Sequence, residues 1–188
     1  MKKFACLGLA VLVAGAVSAL RAQEPPKDFP KPAPPTKEHG WLKQMVGEWD
    51  TDAEAIIGPG QSMKCKGSEK TRMLGDYWMM TETAGEMMGT KVYGVMTVGF
   101  DEKKKKFVGT WIDSSMNHMW KYEGELDAAG NKLVLEAEGP NPSAGGKMTK
   151  FRDTLEVKSK DHKTLSSQML GDDGKWIPIM TMNIKRKG

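Results

Sequence analysis

From Gly47 to the C-terminus, turn signals recur at short and regular intervals, and no other feature limits the fold as strongly. They are Gly58-Pro59-Gly60, Gly75-Asp76, Met88-Gly89, Asp101 to Lys106, Ser114 to Asn117, Ala129-Gly130-Asn131, Gly139 to Gly146, Ser159 to Lys163, and Gly171 to Gly174. Gly, Pro, Asn and Asp supply the backbone angles and local hydrogen bonds that turns require. Nine turns delimit ten extended segments, and neither a strand–helix alternation nor a long helical period appears among them. Ten hairpin-linked strands in an open sheet would leave two unpaired edges, which closure into a barrel removes. The predicted fold is therefore all-β: a roughly ten-stranded antiparallel up-and-down barrel over residues 36–188.

Period-two alternation assigns the faces. In the first segment Glu48, Asp50, Asp52 and Glu54 share one face, and Trp49, Thr51, Ala53, Ala55 and Ile57 the other. The second segment carries Lys64, Lys66, Lys70 and Arg72 on one face. An acidic stripe opposite a basic stripe fixes hairpin register and places both outside, as a solvated surface and not a metal site. Met63, Cys65, Gly67, Glu69, Thr71 and Met73 then point inward, with Glu69 the odd carboxylate. The same parity sends His118, Trp120 and Tyr122, Leu133, Leu135 and Ala137, and Phe151, Asp153, Leu155 and Val157 inward. Trp176, Met180, Met182 and Ile184 are expected inward as well.

Ahead of the strands, Thr36 can cap a short helix. A full capping box would need Glu or Gln at position 39, which is His39. Trp41, Leu42, Met45 and Val46 fall on one helical face, and Gly47 ends the run. Such a helix would close one end of the barrel.

The N-terminus reads differently. Lys2 and Lys3 precede an uncharged stretch from Phe4 to Leu20, too short to span a bilayer comfortably, with small residues at Ala19 and Ala22. Residues 1–22 are expected to be a secretory signal peptide, cleaved after Ala19 or Ala22, and the mature chain to be periplasmic or secreted. Residues 23–35 hold six prolines in thirteen positions and read as an extended linker. Of 28 Lys and Arg, Lys2, Lys3 and Arg21 leave with the signal, so 25 basic side chains face 24 acidic ones. That balance gives no footprint for nucleic acid. Cys65 remains as a lone thiol, which excludes an intrachain disulfide framework.

Two blocks carry a family resemblance. Gly47-Glu48-Trp49 is similar to the Gly-x-Trp opening of lipocalin-like barrels. Gly99-Phe100-Asp101, followed by Phe107-Val108-Gly109-Thr110-Trp111-Ile112-Asp113-Ser114, resembles the central signature of the bacterial domain-of-unknown-function family DUF1579. The resemblance covers roughly residues 38–186. It implies a lipocalin-like, calycin-like barrel and no established activity, so no functional residue carries over from it. The chain departs from lipocalins in lacking a disulfide pair and a clear C-terminal helix.

Candidate ligand-binding residues come from the inward faces and from one hairpin mouth: Glu69, Trp111, Asp113, His118, Trp120, Tyr122 and Asp153. Asp113 and His118 flank a predicted four-residue turn and are expected to face each other, where a carboxylate would orient an imidazole. A lumen of aromatic and methionine side chains with a few polar groups suits a small apolar or amphipathic ligand, and equally a packed core. The chain has 15 methionines. The run Met116-Asn117-His118-Met119-Trp120 raises Cu(I), and His118 alone raises haem ligation. No Gly-x-Ser-x-Gly, phosphate-binding loop or His-Glu-x-x-His occurs, so the chain reads as a non-enzymatic binding protein with no cofactor assigned. The competing readings are a packed barrel acting through its surface, with a homodimer as one form, and an enzyme using Asp113 and His118.

Overall fold

A computed structural model describes residues 33–188. The signal peptide expected at 1–22 and nearly all of the linker expected at 23–35 lie outside the described residues.

Ten strands form one closed antiparallel barrel in which each pairs with its neighbours in sequence and β1 pairs with β10. They are β1 (Gly47–Gly58), β2 (Gln61–Leu74), β3 (Trp78–Met87), β4 (Thr90–Asp101), β5 (Lys106–Asp113), β6 (Trp120–Leu126), β7 (Lys132–Pro140), β8 (Met148–Ser159), β9 (His162–Leu170) and β10 (Trp176–Arg186). The nine connections fall at the nine predicted turns. The two-residue turn Met88-Gly89 has both residues at positive φ (53° and 78°), as a type I′ hairpin turn requires. The outward stripes meet as expected: Glu48 pairs with Lys70, Asp52 with Lys66 and Glu54 with Lys64 across β1 and β2. Lys70 lies 3.0 Å from Glu48.

The helix α1 (Lys37–Lys43) precedes β1. The capping box forms although its third residue is a histidine: His39 Nδ1 accepts the Thr36 backbone N–H at 2.9 Å. An imidazole nitrogen thus does the work of a carboxylate, which the Glu/Gln rule misses. Trp41, Leu42 and Met45 are buried, whereas Val46 stays partly exposed. Trp41 Nε1 donates to the Gly130 carbonyl at 2.9 Å, tying the helix to the β6–β7 turn.

Alternate turns share an end of the barrel. The helix packs at the end holding the β2–β3, β4–β5, β6–β7 and β8–β9 turns and both strand termini. There Trp41, Phe100 and Phe107 stack edge to face, and Leu42, Met45, Met79 and Val98 fill the remaining space. Trp49 is buried, donates Nε1–H to the Met45 carbonyl at 3.0 Å, and is covered by the Arg186 guanidinium 4.0 Å from its ring. Arg186 also donates to the Val46 and Lys160 carbonyls, so the basic C-terminal end closes the barrel floor. This end is sealed.

Parity assignments change at two bulges. Ile57 is left unpaired where the β1–β2 register shifts between Ile56 and Gly58, and it is exposed instead of inward. The β9–β10 register shifts between Pro178 and Met180, leaving Ile179 as an extra residue that packs into the core. The bulge reverses the faces before it. Trp176 therefore lies outside, under the Arg152 guanidinium at 4.0 Å, while Met180, Met182 and Ile184 line the interior.

Candidate functional site

The other half of the barrel is hollow. A cavity of about 340 Å³ occupies the lumen toward the end that carries the β1–β2, β3–β4, β5–β6, β7–β8 and β9–β10 loops. Its origin is side-chain size. Inward positions on three consecutive strands are small: Thr51, Ala53 and Ala55 on β1, Cys65 and Gly67 on β2, Thr81, Thr83 and Gly85 on β3. The larger residues Met96, Trp111, Leu135, Leu165, Met180 and Met182 face them. Lys66, Ser68, Ala84 and Glu86 also border the space where Gly67 pairs with Gly85, so the wall there is one backbone thick.

Two polar groups stand in this apolar lining. At the floor, Glu69 and Lys163 form an ion pair with side chains only 7% and 4% exposed. Lys163 Nζ lies against Glu69 Oε1. The Lys163 ammonium lies 4.3 Å from the centre of the Trp49 ring. Burial pulls the Lys163 pKa below the ordinary lysine value, and outweighs the opposing pull of Glu69.

Higher up, Tyr122 donates its hydroxyl to Asp153 Oδ2 at 2.5 Å. Ser167, directly opposite Asp153 on β9, donates a second hydrogen bond to the same carboxyl. Burial still raises the Asp153 pKa above the usual carboxylate range. Burial, then the Asp153 charge, pushes the Tyr122 hydroxyl far above the ordinary phenol range and keeps it a donor.

Four of the seven predicted residues line this cavity: Glu69, Trp111, Tyr122 and Asp153. Trp120 points inward but is spent on packing, with its ring 4.7 Å from Phe151 and laid across Gly139. Asp113 and His118 do not meet. β5 ends at Asp113 and β6 begins only at Trp120, so six loop residues separate the strands where a four-residue turn was expected. Asp113 instead accepts the Trp111 indole N–H at 3.0 Å and the Ser115 backbone N–H at 2.8 Å. His118 lies outside the cavity lining, its Nε2 3.2 Å from the Glu138 carbonyl. The Asp113–His118 pair expected at this mouth is not formed. Met116 Sδ accepts the Trp120 indole N–H at 3.4 Å, and His118 packs edge to face against the same ring. Among the described residues, no three His, Cys, Asp or Glu side chains cluster to hold a metal ion.

Lys163 and Ser167 were not anticipated, because Lys163 falls in the predicted turn Ser159–Lys163. The signal for both is present: Lys163, Leu165, Ser167 and Met169 alternate along β9 with the residues that face outward. The open end shows a further pattern. Its loops and adjoining strand ends present Ile57, Met88, Met116, Met119, Met148 and Ile177 to solvent, with Met88 84% exposed.

The family model described as "Protein of unknown function (DUF1579)" matches residues 34–186. The chain belongs to this family. No curated protein matches the sequence. Among solved structures, this DUF1579 barrel is similar to Rv2717c from M. tuberculosis, with 10% identity over 82% of this chain and 100% of that one, at a TM-score of 0.60. It is also similar to the S-type phycobiliprotein lyase CPES from Guillardia theta, with 10% identity over 80% of this chain and 93% of that one, at a TM-score of 0.54. At such identities the likeness is one of fold.

Proposed function

We propose that this DUF1579 protein is an exported, non-enzymatic carrier or receptor that holds one small apolar or amphipathic molecule in its barrel. One observation carries the reading: the cavity of about 340 Å³, lined mainly by Met, Leu, Ala and Thr with a few polar groups at fixed positions. Small-molecule sites have this volume range and this chemistry. Methionine supports it further, since an unbranched thioether adapts to ligands of varied shape. The apolar rim provides a route along which such a molecule could enter without losing apolar contact. Export rests on the charge and hydropathy pattern of residues 1–22.

Titration with prodan, a neutral naphthalene fluorophore, tests the cavity. The expected result is saturable one-to-one binding with blue-shifted emission. Ala53→Phe, which puts a ring into the lumen, should abolish that binding while far-UV circular dichroism and the melting temperature stay near the parent's. A folded Ala53→Phe protein that binds as tightly as the parent, or a parent that does not bind, would overturn the reading.

A further inference from the structure

We infer that the molecule held in this cavity carries a cationic nitrogen on an apolar body, and that the nitrogen is taken up at Asp153 beside Tyr122 and Trp111. The inference rests on the cavity reading above and names its ligand class.

Asp153 is a carboxyl in an apolar lumen with no counter-ion. Its neighbours across the strands are Leu135 on β7 and Ser167 on β9. Its hydrogen bonds come from two neutral hydroxyls, those of Tyr122 and Ser167. Among the described residues, no Lys, Arg or His forms an ion pair with it; Lys163 is paired with Glu69 instead. Lys163 and Ser167 are two inward steps apart on β9, roughly 13 Å along a strand, so the ammonium sits at the floor and Asp153 well above it.

The other charges around the cavity do not supply what Asp153 lacks. Two lysines, Lys66 and Lys163, border it against three acids, Glu69, Glu86 and Asp153. Lys66 and Glu86 lie at the outer wall near the Gly67–Gly85 pair. Asp113 stands behind Trp111, holding its indole N–H, and adds negative potential at Tyr122. The lumen thus holds, at Asp153, a carboxyl with no cation beside it.

An organic cation meets each of these conditions. Its N–H groups, or its charge alone, pair with the free lone pairs of Asp153. Trp111 and Tyr122 present aromatic rings to the same space, and aromatic faces attract cations. The apolar body fills the part lined by Met180, Met182 and Leu165. A carboxylate ligand is disfavoured twice. It would face Asp153, and it could reach Lys163 only by displacing Glu69, leaving a buried acid unpaired. When the pocket is empty, burial favours the protonated carboxyl; when an ammonium binds, Asp153 releases that proton to solvent. Acidification therefore weakens cation binding.

The test is displacement of prodan by decylamine, decanol and decanoate, which share a chain and differ in the head group. At about pH 7.5, decylamine should half-displace the fluorophore at a concentration about tenfold or more below decanoate, and below decanol, in keeping with one buried charge-assisted hydrogen bond. Lowering the pH to about 5 should raise the decylamine requirement severalfold and leave decanol unchanged. Asp153→Asn, which keeps the acceptor for Tyr122, should remove the advantage of decylamine over decanol. Should that variant not fold, the order of the three displacers and the pH arm on the parent protein decide. Displacement by decanol and decanoate with no advantage for decylamine would overturn the cation assignment and leave the cavity reading intact. Absence of prodan binding would overturn both.

Discussion

Replacing Glu69 and Lys163, singly and together, asks what a buried ion pair contributes to this barrel. Both side chains are more than nine-tenths buried and neither reaches another ion-pair partner among the described residues. Removing one charge leaves the other stranded in the lumen, at a cost of about 3–5 kcal/mol. Glu69→Leu and Lys163→Met should each lower the free energy of unfolding by that amount, a large part of the roughly 5–15 kcal/mol that a domain has. The double variant should not sum these losses. Burial already pulls the Lys163 pKa below 10.5 although Glu69 pulls it up, so desolvation outweighs attraction at this site. A hydrophobic pair of similar volume should then be about as stable as the parent, or more so, less about 1 kcal/mol for the lost ammonium–Trp49 contact.

Urea unfolding followed by tryptophan fluorescence gives the cycle, with a coupling of at least about 4 kcal/mol expected between the two sites. The pH dependence adds a check whose sign follows from linkage. The folded state binds the Lys163 proton less tightly than the unfolded chain, so between the folded pKa and 10.5 the unfolded state holds more protons and stability rises with pH. In Glu69→Leu the favourable pull is gone and that window widens. Raising the pH from about 7 to about 9.5 should therefore recover more stability in Glu69→Leu than in the parent. Single variants costing under about 1 kcal/mol, or a double variant as poor as the sum of the two, would refute the account.

Three further outcomes follow, from two glycines and from the second buried acid. Gly124→Ala places a methyl 1.9 Å from the Val134 carbonyl oxygen, which is backbone and cannot move aside, so it should cost about 1–3 kcal/mol in the same unfolding assay; Gly40→Ala, with nothing within 4 Å on the exposed face of α1, should be neutral or stabilise by up to about 1 kcal/mol. Asp153 has its folded pKa raised above 3.8, so its contribution to stability is fully present below that value and is lost as pH rises through the folded pKa; Asp153→Asn should gain stability relative to the parent between about pH 4.5 and 7.5, measured by urea unfolding at both ends.

The fold was legible because a barrel repeats two short-range rules. Turn residues set where each strand stops, and period-two alternation sets which side chains enter the lumen. Those rules placed Glu69, Tyr122 and Asp153 inside, because each interrupts a row of apolar residues whose direction is not in doubt. They failed where the backbone departs from regularity by a single residue. The extra Ile179 in β10 reversed the face of Trp176. The β8–β9 turn is only Lys160-Asp161, so Lys163 belongs to β9 and completes an ion pair that a longer turn would have left outside. The loop after Asp113 is two residues longer than its turn signal suggested, and this separated Asp113 from His118. Alternation gives direction but not register across a loop of unknown length.

Whether the barrel would be hollow turned on volume, which parity does not report. Yet the sequence carries the signal in a form that parity makes readable. Once the inward rows of β1, β2 and β3 are known, most of their members toward the open end are Thr, Ala, Cys and Gly, with Met63 and Met87 the large exceptions. Toward the sealed end the inward rows and α1 instead contribute Trp41, Leu42, Trp49, Met79, Val98 and Phe107. A lumen of fixed circumference lined by small residues on three adjacent strands stays empty unless the facing strands reach across it, and Met180, Met182 and Leu165 leave about 340 Å³ unfilled. Interiors are ordinarily close-packed, and a void of this size forfeits dispersion contacts on every side. A buried carboxyl without a counter-ion beside such a cavity is the physical argument for the cationic ligand proposed above. Apolar volume and a buried carboxyl without a counter-ion lie in one place, and one cationic molecule of suitable size would complement both.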